Sequence, residues 1–203
     1  MSRDHELTEA KFLKDVSGHR MEILRDDGIE RRIRFKRPET QNMSFDLTTW
    51  PGYLAYTGDM GCYVFTRLPD MFEFFRTDRT HGELDGRKLY INLGYWGEKV
   101  VAADRDGIKV YSPDVFRDHI KSWLDGQDAD RALRKAVTED VLCHADDGEH
   151  EAMRAAIDYQ YEGNLVFQDF WEADCRTYTF RFRWCCYALA WGIQQYDDAK
   201  VPA

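Results

Sequence analysis

Residues 43–76, MSFDLTTWPGYLAYTGDMGCYVFTRLPDMFEFFR, constrain the fold of this chain more tightly than any other stretch. Aromatic and aliphatic residues alternate with polar ones in three short runs, which is the period of a strand with one buried face. Pro51-Gly52 and the glycines at 58 and 61 predict tight turns between the runs. Strands joined by such short links favour an antiparallel meander. After the last run, Asp70 is placed to cap a helix.

Similar patterns extend this sheet on both sides. Asp27-Gly28 lies between two β-rich runs, a combination that predicts a hairpin. Further short alternating runs predict strands near residues 89–93, 99–102 and 108–111. The Gly-rich residues 92–97 are interpreted as a loop.

From residue 113 onward the apolar residues recur at helical spacing. The pattern predicts a helix that begins near Pro113 and further helices over residues 128–143, 149–161 and 176–196. A sheet followed by helices is typical of an α+β fold, here an N-terminal antiparallel meander sheet followed by a helical C-terminal half. Because no linker or repeat interrupts the chain, we expect one domain over 1–203, sheet-rich at 19–111 and helix-rich at 113–198.

The composition favours a cytoplasmic protein with reduced cysteines. The chain has 203 residues, a net charge of −9 and five cysteines. The odd number and the absence of a CxxC pair argue against a disulfide framework. No apolar run reaches the roughly 18 residues that cross a bilayer, and the charged first residues do not resemble a secretory signal. We therefore expect no membrane partner.

A row of basic residues is the first candidate surface. Arg32, Arg34 and Lys36 alternate with Ile33 and Phe35, so a strand would place the three cations on one face. Residues 19–37 hold seven Lys and Arg against four acids, although the whole chain is acidic. Such a row can bind phosphate, a nucleic-acid backbone or an acidic protein, because arginine makes paired hydrogen bonds to oxyanions. The alternative is a solvated sheet face whose charges oppose edge aggregation.

Aromatic residues beside turns form the second candidate surface. Trp50, Tyr53 and Trp96 lie in or next to segments that we interpret as turns or loops. Trp and Tyr in such places can anchor a protein interface or stack on bases. The alternative is packing in the core, where most large aromatics are found. We predict these three side chains as contact residues.

An acidic segment is the third candidate surface. Residues 139–151 contain six acids and no Lys or Arg. We predict that Asp146, Asp147 and Glu149 bind a partner by imitating phosphates. The segment also contains cysteine and histidine, which are zinc-ligand types, but their spacing matches no zinc motif. A polar link between helices is the simpler interpretation, and we predict no metal and no cofactor.

No catalytic motif stands out in the chain, so we expect a non-enzymatic protein. The glycines at 58 and 61 lack the GxGxxG pattern and the P-loop ending, and a strand follows them instead of a helix. Asp46 and Asp59 are carboxylates of the kind that a metal-dependent nuclease or hydrolase uses. That enzymatic alternative stays open.

Two segments, residues 44–76 and RFRWCCYALAWGIQQYD at 181–197, resemble a family of uncharacterised proteins of tailed phages and bacterial prophages. The shared stretches are of the types WPGYL, TGDMG, DMFEFFR and WGI.QYD, and with RDDG…RRIRFKRP the resemblance spans about half of the chain. The family brings no assigned activity and no catalytic residues. The resemblance implies a phage accessory protein that acts inside a bacterium, where small phage proteins often bind a host component.

The resemblance and the charge pattern together lead to two hypotheses. The first is a phage-encoded, non-enzymatic protein that antagonises a bacterial antiviral defence system, as anti-CRISPR inhibitors do, by binding one host defence protein. The second is a nucleotide or nucleic-acid binder that sequesters a defence signalling nucleotide or acts in phage DNA metabolism. It would hold phosphate with the basic row and stack bases on the aromatics. A homodimer is compatible with both.

Overall fold

The computed structural model describes residues 7–81 and 88–200, with the backbone alone at 78–81. It confirms the predicted α+β class. A six-stranded antiparallel meander forms the N-terminal half, and helices dominate the C-terminal half. The strands follow one another in the sheet in chain order. They are β1 (Arg20–Asp27), β2 (Glu30–Lys36), β3 (Phe45–Trp50), β4 (Tyr53–Gly58), β5 (Gly61–Thr66) and β6 (Val100–Ala103).

The turns between the strands rest on the glycines that the sequence indicates. Gly28, Gly52 and Gly61 have positive φ angles of 60°, 85° and 102°. Residues other than glycine rarely adopt this backbone conformation. The hairpin predicted at Asp27-Gly28 is confirmed, since Asp27 lies opposite Glu30 in the β1–β2 pair.

Helices cover one face of this sheet. They are α1 (Glu9–Val16), α2 (Met71–His81), α3 (Leu93–Gly97) and α7 (Phe180–Lys200). The inward residues of the strands are buried with them in one core: Ile33, Phe35, Phe45, Leu47, Leu54, Tyr56, Tyr63 and Phe65. Helix α7 lies close to the strands, since a Cβ atom built on Gly192 would come within 3.0 Å of Leu47 and 3.2 Å of Phe35. The small residue is therefore needed for close helix–sheet packing.

A second, mainly helical core lies in residues 109–177. Its helices are α4 (Pro113–Gly126), α5 (Arg131–Asp140) and α6 (Glu149–Ile157), with short 3-10 helices at Leu142–His144 and Phe170–Glu172. Ser112 caps α4 by accepting the N–H of Val115, and Pro113 occupies the first turn, as the sequence predicts. The core is built from Phe116, Ile120, Leu124, Val137, Val141, Ala152, Ala156, Phe167 and Phe170.

Four short strands complete the structure. They are β7 (Lys109–Tyr111), β8 (Gln160–Tyr161), β9 (Asn164–Leu165) and β10 (Arg176–Tyr178). β7 pairs with β10, and β8 pairs with β9. The last predicted helix therefore begins later than residue 176, after a strand that occupies its expected first turn.

The chain forms two compact units. The first consists of the described residues up to Ile108 and from Tyr178 onward, and the second of Lys109–Thr177. Helix α7 thus belongs to the first unit together with the sheet, although α4, α5 and α6 of the second unit lie between them in sequence. The prediction of one domain over 1–203 stays a prediction, because compactness alone does not show whether the two units fold independently.

The structure differs from the prediction at residues 89–97. The strand expected over 89–93 is wrong: residues 90–92 are irregular, and α3 begins at Leu93. The side chain of Asn92 accepts the N–H of Tyr95 at 3.0 Å and so caps this helix. Among the described helices, none is both long enough and apolar enough to cross a membrane.

Candidate binding face of the sheet

The face of the six-stranded sheet opposite its core is here called the open face. Strand register decides which side chains share it. One transverse row consists of Glu22, Arg34, Asp46, Thr57 and Cys62. The next row consists of Arg25, Arg32, Thr48, Ala55 and Val64. The middle of the face therefore carries small side chains, and the charges concentrate on β1, β2 and β3.

Two arginines of the open face are held by one carboxylate. Arg34 donates through Nε and a terminal nitrogen to the two oxygens of Asp46, at 2.9 and 3.0 Å. Arg32 donates to Asp46 Oδ2 at 3.1 and 3.3 Å. These hydrogen bonds to Asp46 raise the pKa of Arg34. The cluster of two cations and one anion keeps a net positive charge, and Arg32 is still 52% exposed.

Lys36 extends the basic row towards the end of β2. It lies opposite Arg20 of β1, so two cations are neighbours at this edge of the open face. Glu22 lies opposite Arg34 and adds a second negative charge beside it. The predicted alignment of Arg32, Arg34 and Lys36 on one face is therefore present, with a carboxylate set among the cations.

Two aromatic residues lie at the end of the same face. The rings of Trp50 and Tyr53 stack with centroids 5.4 Å apart and planes inclined by 16°. They are 38% and 39% exposed. Because Trp50 lies two residues beyond Thr48 on β3, it shares the open face with Arg32.

The turn that carries this aromatic pair is anchored to the rest of the sheet. Gly52 donates its N–H to the carbonyl of Pro69 at 2.9 Å. Its own carbonyl accepts the hydroxyl of Thr66 at 2.8 Å. The pair is thus presented on a backbone with fixed hydrogen bonds, a property that lowers the entropy lost on binding.

Trp96 is not a contact residue. It is 1% exposed, and its ring packs edge-on against Phe75 with centroids 4.8 Å apart. The prediction was wrong because the Gly-rich residues around it form helix α3 instead of a loop, and the helix turns this indole into the core.

The three acids of the third candidate surface belong to the second unit, and each contacts a basic or imidazole side chain. Asp146 contacts Arg117. Asp147 accepts from His144 at 2.9 Å. Glu149 accepts from Arg176 at 2.7 and 3.1 Å.

These contacts engage three of the six acids of residues 139–151. The structure therefore unites five of the predicted residues on the open face and leaves the three acids outside it.

The carboxylates of the enzymatic alternative have structural partners. Both oxygens of Asp46 are occupied by the two arginines, and Asp59 accepts the N–H of Met43 at 2.8 Å. Within residues 7–81 and 88–200, no three His, Cys, Asp or Glu side chains gather as metal ligands would.

Sequence reasoning missed two features of this region. The first is Asp46 as the anchor of the arginines. The second is the role of Arg31, whose side chain is on the core side and is paired with Asp70 at 2.8 and 2.9 Å. The alternation of side chains along a strand could have indicated the role of Arg31, because Arg31 occupies the same face of β2 as the buried residues Ile33 and Phe35.

Comparisons with protein-family models, with curated proteins and with solved structures found no match for this chain.

Proposed function

We propose that this chain is a non-enzymatic binding protein of phage origin that docks the open face of its sheet onto a bacterial antiviral defence protein. The phage context rests on the resemblance of residues 44–76 and 181–197. The observation that carries the proposal is the exposed Trp50–Tyr53 pair, which shares one sheet face with the arginines held by Asp46.

The residue types of this face suit a protein interface. Trp, Tyr and Arg dominate the few residues that supply most of the affinity in protein complexes. Asp46 fixes two guanidinium groups that would otherwise lose side-chain freedom on binding. The open face carries small side chains between the aromatic pair and the β6 edge of the sheet. These leave room for the side chains of a partner.

The charge of the face indicates the chemistry of the partner. On β1, β2 and β3 the open face carries five cations against four acids, and Arg32, Arg34 and Lys36 form a continuous basic row, so a partner surface with carboxylates complements it. The acidic residues of 139–151 contribute less to this proposal, because Asp146 and Glu149 already pair with arginines and Asp147 is hydrogen-bonded to His144.

A second candidate is a nucleotide or nucleic-acid binder. The specific observation in its favour is that stacked, exposed aromatic rings lie on the same face as arginines. Aromatic side chains stack on bases, and cations neutralise the phosphates beside them. Affinity would then fall steeply with salt, because counterions are released on binding.

The experiment that tests the first proposal is affinity capture from lysate of a bacterial host, followed by mass spectrometry and by calorimetry with the purified partner. The wild-type chain is compared with Arg32→Ala plus Trp50→Ala. Trp171→Ala is the matched control, because Trp171 is an exposed tryptophan of the second unit. We expect one stoichiometric defence protein with the wild type and the control, and at least about tenfold weaker binding with the double variant.

Capture that is equal for all three proteins would contradict the open face as the binding surface. To separate the second candidate, fluorescence anisotropy is measured with single-stranded DNA and RNA oligonucleotides at 50 and 200 mM salt. Tight binding that weakens steeply with salt and is lost in the double variant would favour the nucleic-acid binder over a protein partner.

A further inference from the structure

Strand β1 forms an edge of the six-stranded sheet. Among the described residues it pairs with β2 alone, so the polar backbone groups of its other side are not used in the sheet. Ile23 and Leu24 lie in the middle of the strand and are each 40% exposed. An edge of eight residues with an apolar centre is a surface to which another strand can add.

A bulge in β1 decides which of its side chains share a face. The register shifts between Ile23 and Arg25, so that Leu24 is the extra residue. Before the bulge, Arg20 and Glu22 lie opposite Lys36 and Arg34; after it, Arg25 and Asp27 lie opposite Arg32 and Glu30.

Arg20, Glu22, Arg25 and Asp27 therefore all lie on the open face. Without the bulge, residues 20 and 22 would face one side and residues 25 and 27 the other, because strand side chains alternate.

We propose that β1 pairs antiparallel with β1 of a second copy of this chain, about a twofold axis between Ile23 and Leu24. In this register, Arg20 of each copy lies opposite Asp27 of the other, and Glu22 lies opposite Arg25. Both of these opposed pairs combine opposite charges, and Ile23 of each copy meets Leu24 of the other at the axis, while Met21 lies opposite Asp26 on the other face. The charged open-face residues of the strand sequence RMEILRDD are thus complementary to themselves when the strand is read in the reverse direction.

The bulge is what makes this register geometrically allowed. Residues that face each other in an antiparallel pair lie on the same face of the sheet. Residues 20 and 27, or 22 and 25, differ by an odd number and would lie on opposite faces of a regular strand. The extra residue at Leu24 brings them to one face in both copies.

Neighbouring registers are disfavoured by charge. If the second strand is shifted by two residues in one direction, Arg20 lies opposite Arg25. If it is shifted by two residues in the other direction, Glu22 lies opposite Asp27. Like charges that face each other across strands destabilise the pair. The charges that protect an isolated edge from indiscriminate pairing therefore allow one self-complementary pairing.

The side chains that this contact needs are accessible in the single chain. Arg25 contacts Glu30 and lies 3.5 Å from Asp27, yet it is 57% exposed and Asp27 is 81% exposed. Asp26, on the opposite face, is occupied by Tyr196 at 2.8 Å and by Lys200, so it does not compete.

The dimer would contain a continuous sheet of twelve strands with both open faces on the same side, because the twofold axis is perpendicular to the sheet. The two β2 strands would be separated by three strand spacings, about 14 Å. The basic rows of the two copies would then flank the seam. This inference does not depend on the proposed function, since it concerns only the edge of the sheet.

The test is sedimentation equilibrium at about 1–100 μM with charge-reversed variants, which we expect to weaken self-association. In Glu22→Arg, two arginines oppose each other at both contacts; in Arg25→Glu, two glutamates do. Each variant alone should dimerise about 10- to 100-fold more weakly than the wild type, because two attractive pairs become repulsive. An equimolar mixture of the two should form a heterodimer, because both contacts again join opposite charges. The double variant Glu22→Arg plus Arg25→Glu should dimerise as the wild type does.

Lys121→Glu is the matched control, since it reverses an exposed charge on α4 of the second unit, and it should leave the dimer unchanged. Circular dichroism verifies that each variant is folded. A monomeric wild type at 100 μM would overturn the proposal without any variant. Dimers that persist in both single variants, or folded single variants that do not associate when mixed, would also overturn it.

Discussion

Arg31 and Arg32 are neighbours on β2, yet the strand turns them to opposite faces and gives them different tasks. Arg31 is 9% exposed; both terminal nitrogens donate to Asp70, and its guanidinium lies 4.8 Å from the ring centre of Phe72. Arg32 is half-exposed and shares Asp46 with Arg34. A run of arginines along a strand is therefore not one functional patch. Because side chains alternate between the two faces of a strand, Arg31 stabilises the fold and Arg32 lies on the surface.

The largest expected effect of this difference is on stability. Arg31→Ala should lower the free energy of unfolding by about 3–5 kcal/mol, because it leaves the partly buried Asp70 without its charge partner. Arg32→Ala, the matched control on the same strand, should cost less than about 1 kcal/mol. Urea unfolding followed by circular dichroism measures both.

A loss of similar size in the two variants would contradict the distinction between the faces. The variant Arg31→Met plus Asp70→Leu separates charge from packing. If it recovers most of the stability lost in Arg31→Ala, the loss comes from an unpaired, partly buried carboxylate. If it does not, the stacking of the guanidinium on Phe72 and the hydrogen bond from the N–H of Phe72 to Asp70 together contribute the larger part.

A second contrast concerns the two glycines Gly192 and Gly94, which lie in helices of the first unit. A Cβ atom on Gly192 would press against Leu47 and Phe35, whereas one on Gly94 would meet only Asn92, at 3.8 Å. Gly94→Ala should gain up to about 1 kcal/mol from helix propensity. Gly192→Ala should be less favourable than Gly94→Ala by about 1–3 kcal/mol, because the core has no room for the methyl group.

Thermal unfolding of the two alanine variants beside the wild type measures this difference. Equal stability changes would show that α7 can move away from the strands at little cost. The close packing of α7 on the sheet would then not restrict the sequence at Gly192.

The strands of this fold were predictable because their signals are local. Alternation and the turn glycines at Gly28, Gly52 and Gly61 indicate β1 to β5 without any knowledge of distant contacts. Helix α3 was missed, since the glycines around it outweighed the capping signal of Asn92. Trp96 was assigned to the surface for the same reason, and its burial follows from a helix that only packing stabilises.

The site was predictable only in part. Alternation aligns Arg32, Arg34 and Lys36, but it does not place Asp46 between the arginines. That contact depends on the β2–β3 register, which is set by the link through residues 37–44, where Glu39 and Met43 have positive φ angles of 65° and 56°. The sequence of such a link does not reveal the conformation that it adopts, and this conformation fixes which residues of β2 and β3 face each other. A contact that depends on the register therefore requires the structure.

The ion pair of Arg31 and Asp70 also predicts that stability depends on pH. Burial raises the pKa of Asp70, but the hydrogen bonds from Arg31 and from the N–H of Phe72 outweigh it and hold the pKa below its ordinary value. A lowered pKa means that the folded state binds the proton less readily than the unfolded state. This contribution to stability is present above the unfolded pKa of about 3.9 and is lost as the pH falls through the folded value.

The measurement is the free energy of unfolding of the wild type and of Asp70→Asn between pH 6 and pH 2. The wild type should be more stable than the variant at pH 6, and the difference should shrink as the pH falls below about 4. A difference that stays constant over this range would show that the charge of Asp70 does not contribute to stability.

Only a small effect on stability is expected at the residues that matter most for the proposed function. Trp50→Ala should cost no more than about 1.5 kcal/mol, because the indole is partly exposed and loses mainly its stacking on Tyr53. Trp96→Ala, the matched control in the core, should cost about 3–5 kcal/mol. The two tryptophans therefore reverse their order between assays: Trp96 dominates unfolding, and Trp50 dominates partner capture. If Trp50→Ala destabilises the chain as much as Trp96→Ala does, its indole serves the fold, and the open face loses the aromatic anchor on which the proposed docking depends.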